Sequence, residues 1–315
     1  AIPMPFIPLN NEVRNDADLV LAVGTRLGET DWWGKAPYWR HPSEQQMIQV
    51  DIDGHILGAN KPAALAVLAD AKLFLAALAE RLATLTGRMN LESRRRKVAK
   101  YREKAREERA KLDEKLTDMA VPMNPAHVAH VCEQVFPAES VLVADGGNAA
   151  VWAMMFTASR VPNTILSTFK MGMLGAGVAQ ATGAAVARPD HPVCCIIGDG
   201  AMGFHPQEVE TAVRNGLRVV YVVLCDRQWG MVKMNQQFML KPIKTLIKKS
   251  LGPDETIKAD LGEIRFDDLA RSMGAHGERV ADPRELKGAL ERAIASGGAA
   301  VVHVDVDPVK HMWAP

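Results

Sequence analysis

Val193-Cys194-Cys195-Ile196-Ile197-Gly198-Asp199-Gly200-Ala201-Met202-Gly203, followed by Val219-Val220-Tyr221-Val222-Val223-Leu224-Cys225-Asp226-Arg227-Gln228-Trp229-Gly230, decides how this chain folds. Each stretch is an apolar run that leads directly into an acidic residue and then into glycine. Runs of this length bounded by turn residues read as strands. Between them, Pro206 to Asn215 reads as a helix. The whole is one βαβ unit that delivers Asp199 and Asp226 to the carboxyl ends of two strands. Ligands of open α/β sheets bind at that end. Two carboxylates beside a glycine-rich turn suit a hard divalent cation that also holds phosphate oxygens. Gly-Asp-Gly alone would be no more than a turn; the agreement of several features across the block is what points to a ligand.

With 315 residues the chain has room for two domains, and 48% hydrophobic residues supply their cores. A net charge of +1 creates no field that would recruit nucleic acid or a membrane surface. Cys132, Cys194, Cys195 and Cys225 form no C-x-x-C pair, which favours buried free thiols in a reducing, cytoplasmic setting. No apolar stretch approaches the length of a membrane span. The opening Ala1 to Pro8 lacks the basic region of a signal peptide.

Outward from the decisive block, the chain reads as an α/β protein with parallel, helix-flanked sheets. Residues 1–88 hold strands Leu19 to Val23, Met47 to Val50 and Leu65 to Leu68, then a helix from Ala71 to Leu85 with Leu73, Leu75, Leu78 and Leu82 available for one face. Residues 89–123 form a charged linker helix. Within residues 91–118, 11 Lys or Arg interleave with 7 Asp or Glu, a solvated helix rather than a nucleic-acid surface. Residues 124–315 form the second domain. It opens on a helix from Pro125 to Val135 capped by Asn124, and a strand from Val141 to Ala144 ends in the polar turn Asp145-Gly146-Gly147-Asn148. Gly172 to Ala187 reads as a small-residue helix. Residues 236–262 lack clean periodicity and read as a mobile segment over the site. Helices from Phe266 to Met273 and Pro283 to Ala295, and a strand from Ala299 to Val304, close the domain.

The block resembles the signature of thiamine-diphosphate enzymes, in which Gly-Asp-Gly is followed by an Asn-Asn pair. Asp226 lies 27 positions after Asp199 and stands where that signature has its second Asn; Cys225 stands where it has the first. The resemblance extends along nearly the whole chain to the C-terminal half of the acetolactate synthase type: residues 1–88 are similar to the later part of a central domain, and residues 124–315 to a complete diphosphate-binding domain. It implies Mg²⁺ ligands at Asp199, Asp226 and the carbonyl of Gln228. It further implies cofactor contacts at Gly147 and Asn148 of the first polar turn, at the Gly172 carbonyl, and at the main-chain N–H groups of Gly200, Ala201 and Met202. Leu174 takes the place of the bulky residue that bends the cofactor. The residues themselves also allow plainer readings, with Asn148 as a turn residue and Leu174 as a core leucine.

On this resemblance the activity is a carbon–carbon lyase or transferase reaction on a 2-oxo acid or related carbonyl compound. The residues around Gln228 to Gln236 would border the substrate. Asn235 stands where acetolactate synthases carry Trp, and Arg227-Gln228-Trp229-Gly230 with Asn235-Gln236 is equally similar to sulfoacetaldehyde acetyltransferases. The stretch Gly28 to Pro42 has Trp32, Trp33 and Trp39, which read as packing, in place of a recognisable segment for flavin adenine dinucleotide; FAD is not expected. The family's catalytic glutamate belongs to a pyrimidine-binding domain with no counterpart here, so the catalytic residue is unassigned. His205 beside the metal turn reads more simply as a surface histidine. The expected partners are an N-terminal pyrimidine-binding segment or separate chain and a second subunit, because sites of this family form between subunits. The chain itself reads as a fragment. A non-catalytic cofactor-binding or regulatory subunit is the competing reading. A nicotinamide oxidoreductase is disfavoured, since Gly24-Thr25-Arg26-Leu27-Gly28 is no Gly-x-Gly-x-x-Gly turn.

Overall fold

The computed structural model describes residues 7–85, 91–167 and 171–313. The amino-terminal segment judged above for a signal peptide lies, through residue 6, outside them. Two compact units divide the chain, Ala1–Lys111 and Leu112–Pro315.

In the first unit, α1 (Ile7–Asp16) precedes β1 (Leu19–Val23), β2 (Gln46–Asp51) and β3 (Leu65–Leu68), followed by α2 (Ala71–Leu85) and α3 (Glu92–Asp113). The three strands are parallel in the order β1-β2-β3, as their short apolar runs predict. A small core gathers Ala22, Leu27, Trp39 and Met47. Trp39 is therefore the packing residue the sequence suggested, whereas Trp32 and Trp33 remain partly exposed, Trp32 stacking on Tyr38. The leucine face expected of α2 is not buried: no α2 residue is buried, and Leu73, Leu75 and Leu82 face solvent. The basic residues of α3 do not stand free throughout. Lys97 pairs with Asp16 and Lys104 with Glu12 on α1.

The second unit runs α4 (Pro125–Val135), β4 (Leu142–Asp145), α5 (Gly147–Phe156), β5 (Ile165–Ser167), α6 (Ala176–Ala187), β6 (Val193–Gly198), α7 (Asp199–Met202), α8 (Glu208–Arg214), β7 (Val219–Cys225), α9 (Gly230–Leu240), α10 (Pro242–Lys248), α11 (Phe266–Ser272), β8 (His276–Val280), α12 (Pro283–Ala295), β9 (Ala300–Asp305) and α13 (Pro308–Met312). Its sheet is parallel throughout, in the order β5-β4-β6-β7-β9-β8. Strand alternation sends Cys194, Ile196, Val220, Val222 and Leu224 to one face, where α4, α5 and α12 cover them. It sends Val193, Cys195, Ile197, Tyr221 and Val223 to the other, under α6, α8 and α11. Both faces of β6 and β7 are thus dry, which explains runs without any polar residue. All four cysteines are buried and free.

Three sequence readings need correction. Gly147 and Asn148 do not merely finish a turn; they begin α5, whose sequence is apolar after Asn148 and carries no helical period because it is buried on nearly every side. The helix placed from Gly172 starts only at Ala176, since Gly175 adopts φ +85, a left-handed conformation that a helix interior excludes. The segment 236–262 is largely ordered by α9, α10 and a strap pinned to the turn after β7, where Trp229 N–H donates to Ala259 O at 2.8 Å and Leu261 N–H to Arg227 O at 2.8 Å. No described helix is long and apolar enough to cross a membrane.

Candidate functional site

The direction of winding reverses between β4 and β6. From β4 the chain moves outward to β5, then returns to place β6 on β4's other side. The loops leaving those two strands diverge and open a crevice at their carboxyl ends. A cavity of about 370 Å³ lies there, bounded by the starts of α5, α7 and α9, with Gly172 and Leu174 at one side and His311 of α13 at another.

Of the residues the sequence proposed, Gly147, Asn148, Gly172, Leu174, Asp199, Gly200, Ala201, Asp226 and Gln228 all line this cavity. Met202 does not; its side chain is buried in the core beneath. His205 is exposed and is no part of the cavity wall. Along another side, Trp229, Gly230, Met231, Val232 and Asn235 line the wall. Gln236 instead turns outward, where its side chain bonds both main-chain groups of Ile257. Leu174 is half-buried against the core and also reaches the cavity.

The two acids are close-coupled. Asp199 Oδ1 accepts from Gly200 N–H at 2.7 Å and Oδ2 from Arg227 N–H at 2.7 Å. Asp226 Oδ2 accepts from Gln228 Nε2 at 3.1 Å and lies 2.7 Å from His311 Nδ1, while its Oδ1 lies 3.3 Å from Gln228 N. Burial first, and then the negative charge of Asp226, push the Asp199 carboxyl up to about 7 despite its two N–H donors. Two buried carboxyls facing one cavity are held at a disadvantage that a cation removes. Among the described residues no group of three or more His, Cys, Asp and Glu side chains gathers as a metal cage. Two carboxylates supplemented by a main-chain carbonyl are instead a partial oxygen set, the arrangement by which Mg²⁺ is held together with substrate phosphates.

Two of the cavity's glycines allow its walls to pack closely. A Cβ on Gly200 would sit 2.6 Å from the Trp229 ring, and one on Gly230 would sit 2.9 Å from Asn148 Nδ2. Asn148 Nδ2 donates to Met312 O at 3.2 Å, so part of this side chain holds α13 as well as facing the cavity. These residues fit a diphosphate with its cation. Sequence reasoning missed His311, which gives no motif signal on a short helix far along the chain.

A doubly wound parallel sheet with an acid-lined cavity at its switch point defines an α/β ligand-binding protein. The chain belongs to the thiamine pyrophosphate enzymes. The family's C-terminal TPP binding domain matches residues 145–304, and its central domain matches residues 4–78. The chain is 35% identical over 194 residues to a probable acetolactate synthase of Mycobacterium bovis, covering 61% of this chain and 33% of that protein. It is 29% identical over 301 residues to the sulfoacetaldehyde acetyltransferase of Alcaligenes xylosoxydans xylosoxydans, covering 88% of this chain and 47% of the other. The crystal structure of benzoylformate decarboxylase from Polynucleobacter necessarius shares the fold, with a TM-score of 0.66 at 20% identity over 92% of this chain and 49% of that one. The chain thus spans less than half the length of these proteins.

Proposed function

We propose that this chain forms the diphosphate-binding part of a thiamine-diphosphate- and Mg²⁺-dependent enzyme that makes or breaks a carbon–carbon bond at a 2-oxo acid or related carbonyl. The observation that carries the reading is the pair Asp199 and Asp226, buried at neighbouring strand tips and facing one glycine-walled cavity. Asp199, Asp226 and the Gln228 carbonyl would hold the metal. Gly147, Asn148 and the main-chain N–H groups of Gly200, Ala201 and Met202 would surround the diphosphate, and Leu174 with the Gly172 carbonyl would orient the remainder. A bound thiamine diphosphate supplies the carbon nucleophile and electron sink for such chemistry.

The protein's own contributions are binding, orientation and exclusion of water. The strap over Arg227 to Trp229 shields the metal turn, and Lys233, buried, fastens it through Asp260 Oδ1 at 2.6 Å. Met231, Val232 and Asn235 border the substrate end, so acceptor choice rests with them. The similarity to both an acetolactate synthase and a sulfoacetaldehyde acetyltransferase supports a lyase or transferase of this class. The general acid–base would come from a pyrimidine-binding segment or a second subunit.

Titration calorimetry tests the reading. Thiamine diphosphate should bind saturably only with Mg²⁺ present, and NAD⁺ should not bind. Binding of equal strength with and without Mg²⁺ would refute the metal assignment.

A further inference from the structure

His311 stands against Asp226 with no motif to announce it. Its helix, α13, is held from several elements. Gln228 Nε2 donates to Pro308 O at 2.7 Å, Trp152 Nε1 to His311 O at 3.0 Å, and Asn148 Nδ2 to Met312 O at 3.2 Å. The Asp307 side chain caps the first turn through Val309 N–H and Lys310 N–H. His311 is 4% exposed, and its Nδ1 lies 2.7 Å from Asp226 Oδ2. The Nδ1–H tautomer of His311 can donate to that oxygen.

The acid at position 226 makes this contact necessary. An asparagine offers one oxygen to a cation and points an amide N–H₂ elsewhere. An aspartate has a second acceptor oxygen, and its negative charge beside Asp199 is costly to bury unless a donor meets that oxygen. Here His311 Nδ1 and Gln228 Nε2 both meet Oδ2. From this geometry we infer that His311 is a positioning residue, which occupies the second oxygen of Asp226 so that the carboxylate presents its other oxygen to a divalent cation. Partners behind a metal-binding carboxylate orient it and tune its affinity in this way. The inference rests on the metal site proposed above.

A double-mutant cycle on the intact chain tests it, read as the Mg²⁺ concentration that half-saturates thiamine diphosphate binding. His311→Ala should raise that concentration about 10- to 100-fold. The same change in an Asp226→Asn background should raise it less than about threefold, because the second oxygen is gone. His311→Gln, which retains a donor, should recover part of the loss, and guards against a His311→Ala chain that fails to fold. Apo melting temperatures of all five proteins, wild type included, separate packing from positioning. Equal losses in both backgrounds, or an unchanged Mg²⁺ requirement in His311→Ala, would overturn the role of His311 while leaving the metal site standing. A wild-type chain that binds thiamine diphosphate without regard to Mg²⁺ would overturn both.

Discussion

Arg227 donates its main-chain N–H to Asp199 Oδ2 at 2.7 Å, which ties the tip of β7 to the tip of β6. Arg227 has φ +57 at this point, so the chain turns sharply straight after Asp226. The two acids therefore cannot splay apart with their strands. Asp199 belongs at once to the backbone of the turn and to the cavity wall.

That double membership gives a first expectation. Asp199→Ala removes a carboxylate and leaves two N–H groups without their acceptor. Mg²⁺-dependent binding of thiamine diphosphate should be lost, whereas Lys97→Ala on α3, whose ion pair with Asp16 is exposed, should bind as wild type does. Calorimetry of both variants checks it, and retention of Mg²⁺-dependent binding by Asp199→Ala would contradict the site.

Glycine packing allows a sharper contrast within one helix. A Cβ on Gly177 would lie 2.4 Å from Asp145 Cβ, and Gly177 N–H donates to Asp145 Oδ2 at 2.7 Å. Gly177→Ala must push α6 off the end of β4 and should destabilise the fold by about 1–3 kcal/mol. Gly183, on the same helix, is exposed and would meet nothing within 4 Å. Gly183→Ala should stabilise by about 0.5–1 kcal/mol through helix propensity alone. Chemical denaturation of the pair settles the matter; shifts of the same sign would count against this packing.

The Lys233–Asp260 pair fixes the strap pinned to the turn after β7. Lys233→Met keeps the stem's volume but leaves Asp260 without its partner. The strap should loosen, with a loss of about 1.5–3 kcal/mol and faster amide exchange at residues 256–262. Exchange unchanged from wild type would mean that the main-chain bonds at Ala259 and Leu261 suffice alone.

Asp118 supplies the pH dependence. It accepts from Lys310 Nζ at 2.6 Å and from Asn124 Nδ2 at 3.1 Å, and these bonds, the first with Lys310, hold its carboxyl down at about 2. A depressed acid contributes stability above its unfolded value near 3.8, and loses it as pH falls through the folded value. The melting-temperature deficit of Asp118→Asn should therefore be full at pH 6 and shrink progressively between about pH 4 and pH 2. A deficit that is constant over that range would show that the charge is not what matters.

How much of this was legible beforehand follows from burial. Strands β4, β6, β7 and β9 of the second unit could be read because dry strands are continuous apolar runs. Helix α5 could not, since Gly147 to Phe156 is apolar all round. Strand β8, His276–Val280, lies at the sheet edge and carries the polar side chains that solvent tolerates there, which hides it from a hydrophobic pattern. Residues 236–262 showed no period because their order comes from side chain-to-backbone bonds, such as Gln237 Oε1 accepting from Leu251 N–H at 2.6 Å.

The amino-acid sequence by itself determined the βαβ unit, the two acids at its strand tips and the glycines around them, since each depends on residues near one another along the chain. Only the tertiary structure decided that Asn148 would hold α13, that a strap would be pinned to the turn after β7, and that His311 would meet Asp226 across 85 positions. The physical reason is register. Pairing Cys225 with Asp305 in adjacent parallel strands brings the segments that follow both strands to one end of the sheet, and no local pattern encodes that coincidence.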